Sequence, residues 1–234
     1  MKETPIDLDA YPPFEGFPPE GLKFLKQLKA HNTREWFAAY RNEYIEYVKL
    51  PMESLIAALA GPIEKFAPEI SVNPKKSMFR IHRDVRFSKN KDPYKTHVSA
   101  IFHPKGHWED GAGFYLHLEP GQVYLGGGIY MPDGQQLKKI RGAIAAKPKV
   151  FLSIVKSAAF KKTFGELEGE KLSRAPLGYV PDDPMIEWLK FKQFFVAVEW
   201  GESASRKKDF VTRIAAVYKE MLPLVRFLNS ALHR

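Results

Sequence analysis

Apolar positions recur at two different periods along the chain, and the change of period marks its organisation. From about Gly21, Leu22, Leu25 and Leu28 fall three apart, which predicts a helix with one apolar side. His31-Asn32-Thr33 interrupts it, and Asn32 followed by Glu35 has the form of a capping box opening a second helix. That helix carries Trp36, Phe37, Tyr40, Tyr44 and Val48, a stripe whose simplest use is core packing. Pro51 suits a kink or the first turn of the next helix, which offers Met52, Leu55, Ile56, Leu59 and Ile63 and ends near Phe66-Ala67-Pro68.

The period then shortens to two. Phe79, Ile81, Val85 and Phe87 alternate with Arg80, His82, Asp84, Arg86 and Ser88, and Val98, Ala100 and Phe102 follow. Phe114, Leu116 and Leu118 alternate with Tyr115, His117 and Glu119, and a Pro120-Gly121 turn leads into a strand from Val123 to Met131. Short connections imply antiparallel neighbours, because parallel ones need a long crossover. Helical spacing returns at Leu137, Ile140, Ala143 and Ile144 and again at Val150, Phe151, Ile154 and Val155. Phe164 to Asp183 is punctuated by Gly and Pro, Asp183-Pro184 opens a short helix through Leu189, and Phe194, Val196 and Val198 read as a further strand. A long amphipathic helix from about Ser203 follows. The expectation is an α+β fold: an antiparallel β-meander of four to five strands with helices packed mainly on one face. Residues 1–16, rich in proline, are expected as an extended N-terminal arm, and 17–234 as a single domain.

Composition narrows the function classes. A hydrophobic fraction of 44% supports a packed core and argues against overall disorder. No apolar run approaches the roughly 18 residues needed to span a bilayer, so no membrane partner is expected. The absence of cysteine removes disulfides and thiolate chemistry, and a cytoplasmic location is expected. A net charge of +9 favours acidic partners, and the cations concentrate in residues 80–95 and in the C-terminal segment.

The 80–95 stretch is the candidate site. It holds six cations, Arg80, Arg83, Arg86, Lys89, Lys91 and Lys95, against Asp84 and Asp92. In a regular strand Arg80, His82, Asp84 and Arg86 share one face, neighbours about 7 Å apart. A carboxylate between two guanidiniums orients their forks toward a phosphate or carboxylate. Arg80, Arg86, Lys91 and Lys95 are therefore the expected anion-binding residues, with Asp84, Arg83, His82 and Tyr94 orienting or supporting them. Regular alternation places Arg83 on the apolar face, where it must find an acid, find carbonyls or escape through a bulge.

The pattern Arg80-x-x-Arg83-Asp84-x-Arg86-Phe87-x-x-x-Lys91-x-x-Tyr94 resembles the signature of a widespread microbial family of conserved hypothetical proteins, the "domain of unknown function 2461" family. Asn32-x-x-x-Trp36-Phe37, Pro51, Pro176-x-Gly178-Tyr179 and Lys192 match the secondary motifs expected of that family. The resemblance covers nearly the whole chain from about Phe17. It implies a single domain of this length and no particular reaction.

Other patterns are weaker. His82, His97, His103, His107 and His117 lie close in sequence, and His103-x-x-x-His107 has a ligand-like spacing, but no spacing is diagnostic and no metal is expected. Gly126-Gly127-Gly128 lies within a strand pattern, where a bulge or the close approach of another backbone or a ligand would explain it; it lacks the context of a phosphate loop or dinucleotide fingerprint, and no cofactor is expected. The expected partner is a phosphorylated small molecule or nucleotide, bound with or without catalysis. Nucleic acid held through its backbone is the alternative, and a purely structural Arg/Asp network is the third reading.

Overall fold

A computed structural model describes residues 7–105 and 111–232. His107, weighed above as a metal ligand, lies outside the described residues. Five helices come first: α1 (Pro19–Ala30), α2 (Arg34–Ala39), α3 (Arg41–Tyr44), α4 (Leu50–Phe66) and α5 (Pro74–Ser77). A π-helical turn, Ile45–Lys49, joins α3 to α4. The strands β1 (Val98–Phe102), β2 (Gly113–Glu119), β3 (Gln122–Ile129) and β4 (Phe194–Gly201) form one antiparallel sheet in the order β1-β2-β3-β4. Between β3 and β4 run α6 (Gly134–Ala146), α7 (Pro148–Val155), α8 (Ala158–Phe164) and α9 (Ile186–Leu189). A 3-10 turn, Glu202–Arg206, precedes the final helix α10 (Phe210–Leu232). The fold class is α+β.

The chain divides into two compact units. The first comprises Met1–Phe102, Tyr115–Tyr124 and Glu199–Ala215, and the second His103–Phe114, Leu125–Val198 and Ala216–Arg234. In the first, Leu22, Leu25 and Leu28 of α1 are buried as their spacing predicts, with Phe37, Tyr44, Val48 and the apolar side of α4. Pro51 explains the π turn. Proline has no N–H to give the carbonyl four residues back, and its ring collides with that carbonyl, so the helix widens just before it. The carbonyl concerned is that of Tyr47, and Gly21 of α1 packs on it so closely that a Cβ there would overlap its oxygen. The N-terminal segment is anchored by buried Phe17, whose N–H donates to the Ser205 carbonyl at 2.8 Å.

In the second unit, Gly127 and Gly128 show why the glycine run sits in a strand. A Cβ on Gly127 would meet the Met221 side chain of α10, and one on Gly128, at φ +130°, would meet the Phe194 carbonyl of β4. Close packing, rather than a ligand, accounts for both. Phe114 stacks on Tyr218 of α10 at 4.6 Å, and Asn229 of α10 exchanges two hydrogen bonds with the backbone of Ala112. Arg141 of α6 donates to the carbonyls of Leu189 and Phe191, so its guanidinium closes the open end of α9.

Two local expectations change. The segment Phe79–Ser88 is not a regular strand; it forms one arm of an irregular ribbon that pairs only through isolated bridges, Met78 with Ala100 and His82 with Tyr94. Of its expected apolar face only Ile81 is buried, while Phe79 is 37% and Phe87 96% exposed. The cap of α2 is Thr33, whose hydroxyl accepts from Trp36 N–H at 3.2 Å; Asn32 is used elsewhere.

Candidate functional site

Residues 80–95 double back on themselves within the first unit. Around the His82–Tyr94 bridge, Arg83 N–H donates to the Pro93 carbonyl at 2.9 Å and Lys95 N–H to the Ile81 carbonyl at 2.8 Å. The ladder cannot go further toward the turn, because Pro93 has no N–H to return to Arg83. Side chains take over the pairing beyond that point. Arg83 Nη1 donates to the Asp92 carbonyl at 3.2 Å and Lys91 Nζ to the Val85 carbonyl at 3.0 Å, each spanning the two arms. Arg83 thus finds a carbonyl, one of the three outcomes open to it, and the Ser88 hydroxyl at 3.4 Å, with no acid among the described residues.

Asn32 fastens the ribbon to the helices. Its amide nitrogen donates to the Tyr94 carbonyl at 3.0 Å, and its oxygen accepts from Tyr94 N–H at 3.1 Å, so one side chain completes both backbone groups of Tyr94 as a neighbouring strand would. The Tyr94 ring is buried and stacks on Phe37 at 4.1 Å, with His82 tilted against it at 5.1 Å. Tyr94 therefore packs inward, against Phe37 of α2. The sequence left Asn32 looking like a cap because the true partner lies 62 positions away.

The cations are not equivalent. Arg86 grips Asp84 side-on, through Nε at 3.0 Å and Nη2 at 2.7 Å. That hydrogen bond, with a second from the Arg86 backbone N–H, pulls the Asp84 carboxyl from its ordinary 3.8 to about 2, and Arg80 adds a weaker pull through space. Arg80 itself makes no hydrogen bond or ion pair among the described residues. Lys95 is half-buried, its Nζ 4.9 Å from the centre of the Phe79 ring. Burial lowers its affinity for the proton, and the repulsion of Arg80 lowers it further. Two mutually repelling cations, neither ion-paired to a carboxylate among the described residues, thus face each other's field, and Lys95 lies over the Phe79 ring.

A second polar group begins two residues after Lys95. His97 stacks on His117 at 4.2 Å; Tyr115 Oη and His117 Nδ1 are 3.2 Å apart, and His117 Nε2 lies 3.6 Å from Glu119. Burial, then His117 and Lys95, push His97 down to about 4, so its ring is neutral at physiological pH. Burial also lowers His117, against the opposing pull of Glu119. Alternation along β2 put Tyr115, His117 and Glu119 on one face in the sequence; the approach of His97 needed the fold. Among the described residues no group of three or more His, Asp or Glu is arranged to hold a metal ion. No helix there is long and apolar enough to cross a membrane.

Pro176, Gly178, Tyr179 and Lys192 fall in the second unit. There Tyr179 N–H donates to the Pro176 carbonyl at 3.1 Å, and Lys192 pairs with Glu170 at 2.8 Å. A sequence profile described as "Conserved hypothetical protein (DUF2461)" matches residues 20–227. No curated protein and no solved structure matches the chain.

Proposed function

This chain belongs to the DUF2461 family of conserved hypothetical proteins, and for it we propose the binding of a phosphate-bearing small molecule or nucleotide by the 80–95 ribbon. Arg80 and Lys95 are its primary contacts, with Arg86 and Lys91 at the rim. One observation carries the reading: Lys95 is held half-buried against the field of Arg80, with no carboxylate ion-paired to either among the described residues. Two like charges so placed destabilise the unliganded protein, and a dianion between them reverses the sign of the interaction. Phe79, 37% exposed, offers an aromatic surface beside Lys95 for the apolar part of such a ligand.

The other residues of the stretch support this pair. Asp84 holds Arg86 through Nε and Nη2, which leaves Nη1 as a donor, and Arg83 and Lys91 hold the two arms together. Tyr94 and Asn32 anchor the ribbon to the helices, so the cations are carried on an ordered support. We assign no reaction to the site.

Thermal unfolding with increasing inorganic phosphate, and separately with adenosine monophosphate, tests the proposal. The melting temperature of the unaltered protein is expected to rise with ligand concentration, and Arg80→Ala and Lys95→Gln are each expected to remove most of that rise. Circular dichroism identifies any variant that fails to fold. An undiminished rise in both variants contradicts the proposal. Tight binding of a duplex DNA probe that weakens steeply with salt would favour the nucleic-acid reading instead.

A further inference from the structure

A cleft of about 640 Å³ opens in the first unit, lined by residues that the 80–95 stretch does not contain. Its volume falls within the roughly 300–1,000 Å³ usual for small-molecule sites. One wall is a face of α1 carrying Lys23, Lys26 and Lys29, and Arg206 lines it from the 3-10 turn. The lysines follow one position behind buried Leu22, Leu25 and Leu28, so packing of the leucines sets where the lysines stand. Lys23 to Lys29 spans about 9 Å along the helix axis. Lysines three apart on a helix repel one another by a few tenths of a kcal/mol per pair, a cost that a bound anion removes.

The carboxylates in the lining are outnumbered by the cations, and one of them is engaged elsewhere. Glu202 Oε2 accepts from Gly121 N–H at 2.7 Å and so closes the β2–β3 turn, while Glu119 lies 3.6 Å from His117 Nε2. Among the described residues, none of the four cations has a hydrogen bond or ion pair. Four unpaired cations therefore share a concave surface with two acids, of which Glu202 is tied to the Gly121 N–H. The Thr96 hydroxyl is a further donor, and buried Leu22 with Pro120 gives the cleft an apolar part.

We infer that this cleft is a second binding site, for a small polyanion whose two or more phosphate groups reach along the lysine row of α1. A single phosphate meets at most part of that row, whereas a chain of phosphates matches its length. The inference does not depend on the 80–95 ribbon, because the two sets of cations have no residue in common.

Isothermal titration with inorganic tripolyphosphate at low salt, carried out on Arg80→Ala, tests the cleft with the ribbon disabled. One molecule is expected to bind per chain, and adding Lys26→Glu is expected to weaken it by about tenfold or more. Lys161→Glu, an equal charge change on the exposed side of α8 and outside the cleft lining, is expected to leave binding nearly unchanged. Lys26 is exposed, so its replacement leaves the core intact. Unchanged binding in Lys26→Glu overturns the inference, as does an equal loss in Lys161→Glu. Failure of Arg80→Ala to bind at all also overturns it, and leaves the ribbon proposal standing. A single-stranded oligonucleotide bound as tightly as tripolyphosphate, through the same lysine, would contradict a small-molecule ligand.

Discussion

The ribbon arm Phe79–Ser88 and strand β2 show the same alternation of apolar and polar residues, yet only β2 becomes a strand. In β2, backbone neighbours lie on both sides, and Phe114, Leu116 and Leu118 are buried on one face. In the ribbon the facing segment contains Pro93, the ladder ends after one bridge, and side chains replace the missing backbone bonds. Alternation reports burial only where a partner strand completes the backbone. A segment supported by side chains instead can keep its cations exposed, which is what a binding surface needs and a sheet interior does not allow.

The widest contrast lies in apolar truncation. Leu116→Ala, at a fully buried position, is expected to cost about 3 kcal/mol in urea unfolding. A cost below about 1 kcal/mol would mean that β2 does not carry the core. Asn32→Ala comes next. It removes two partly buried hydrogen bonds and is expected to cost about 2 kcal/mol, with faster hydrogen exchange at the Tyr94 amide. Normal protection of that amide would show that the ribbon holds itself.

A smaller effect follows from His97, whose affinity for the proton is depressed to about 4 from an ordinary 6.5. Between those values the unfolded chain binds a proton that the folded chain refuses. This contribution is complete above about pH 6.5 and is lost as pH falls toward 4. After allowance for partial exposure it amounts to about 1 kcal/mol, read as a fall in the urea midpoint between pH 7 and pH 4.5 that His97→Gln reduces. Half-buried His103 and His117 shift in the same direction, so the variant lessens the fall without abolishing it. The smallest effect is expected at Phe87, 96% exposed: Phe87→Ala should change stability by no more than about 0.5 kcal/mol. A large loss there would restore the ribbon arm as a packed strand.

Much of the fold was legible because its periods are long and its breaks are chemically marked. The leucines of α1, the turn at Pro120-Gly121, the paired helices divided at Pro148 and the strand at Phe194 all stand where spacing and turn residues put them. The glycine run was open between a bulge and close packing, and Met221 and Phe194 supply the packing. The candidate site was legible in composition more than in geometry. Of the expected hold of Asp84 on both Arg80 and Arg86, only the Arg86 half, two positions apart, forms among the described residues, and the bonds of Asn32 to Tyr94 and the stacking of His97 on His117 depend on long-range contacts that local patterns do not encode. Lys23, Lys26 and Lys29 were visible all along at a regular spacing. A lysine row beside a leucine stripe is also what an ordinary solvated helix looks like, so the spacing alone does not mark a site.

The most direct test of the account is to locate a bound oxyanion. Crystals soaked with tungstate, whose anomalous signal identifies the ion unambiguously, are expected to show it within about 4 Å of both the Arg80 guanidinium and Lys95 Nζ. Tungstate bound at other cations while the space between Arg80 and Lys95 stays empty would contradict the proposal that this pair receives the ligand.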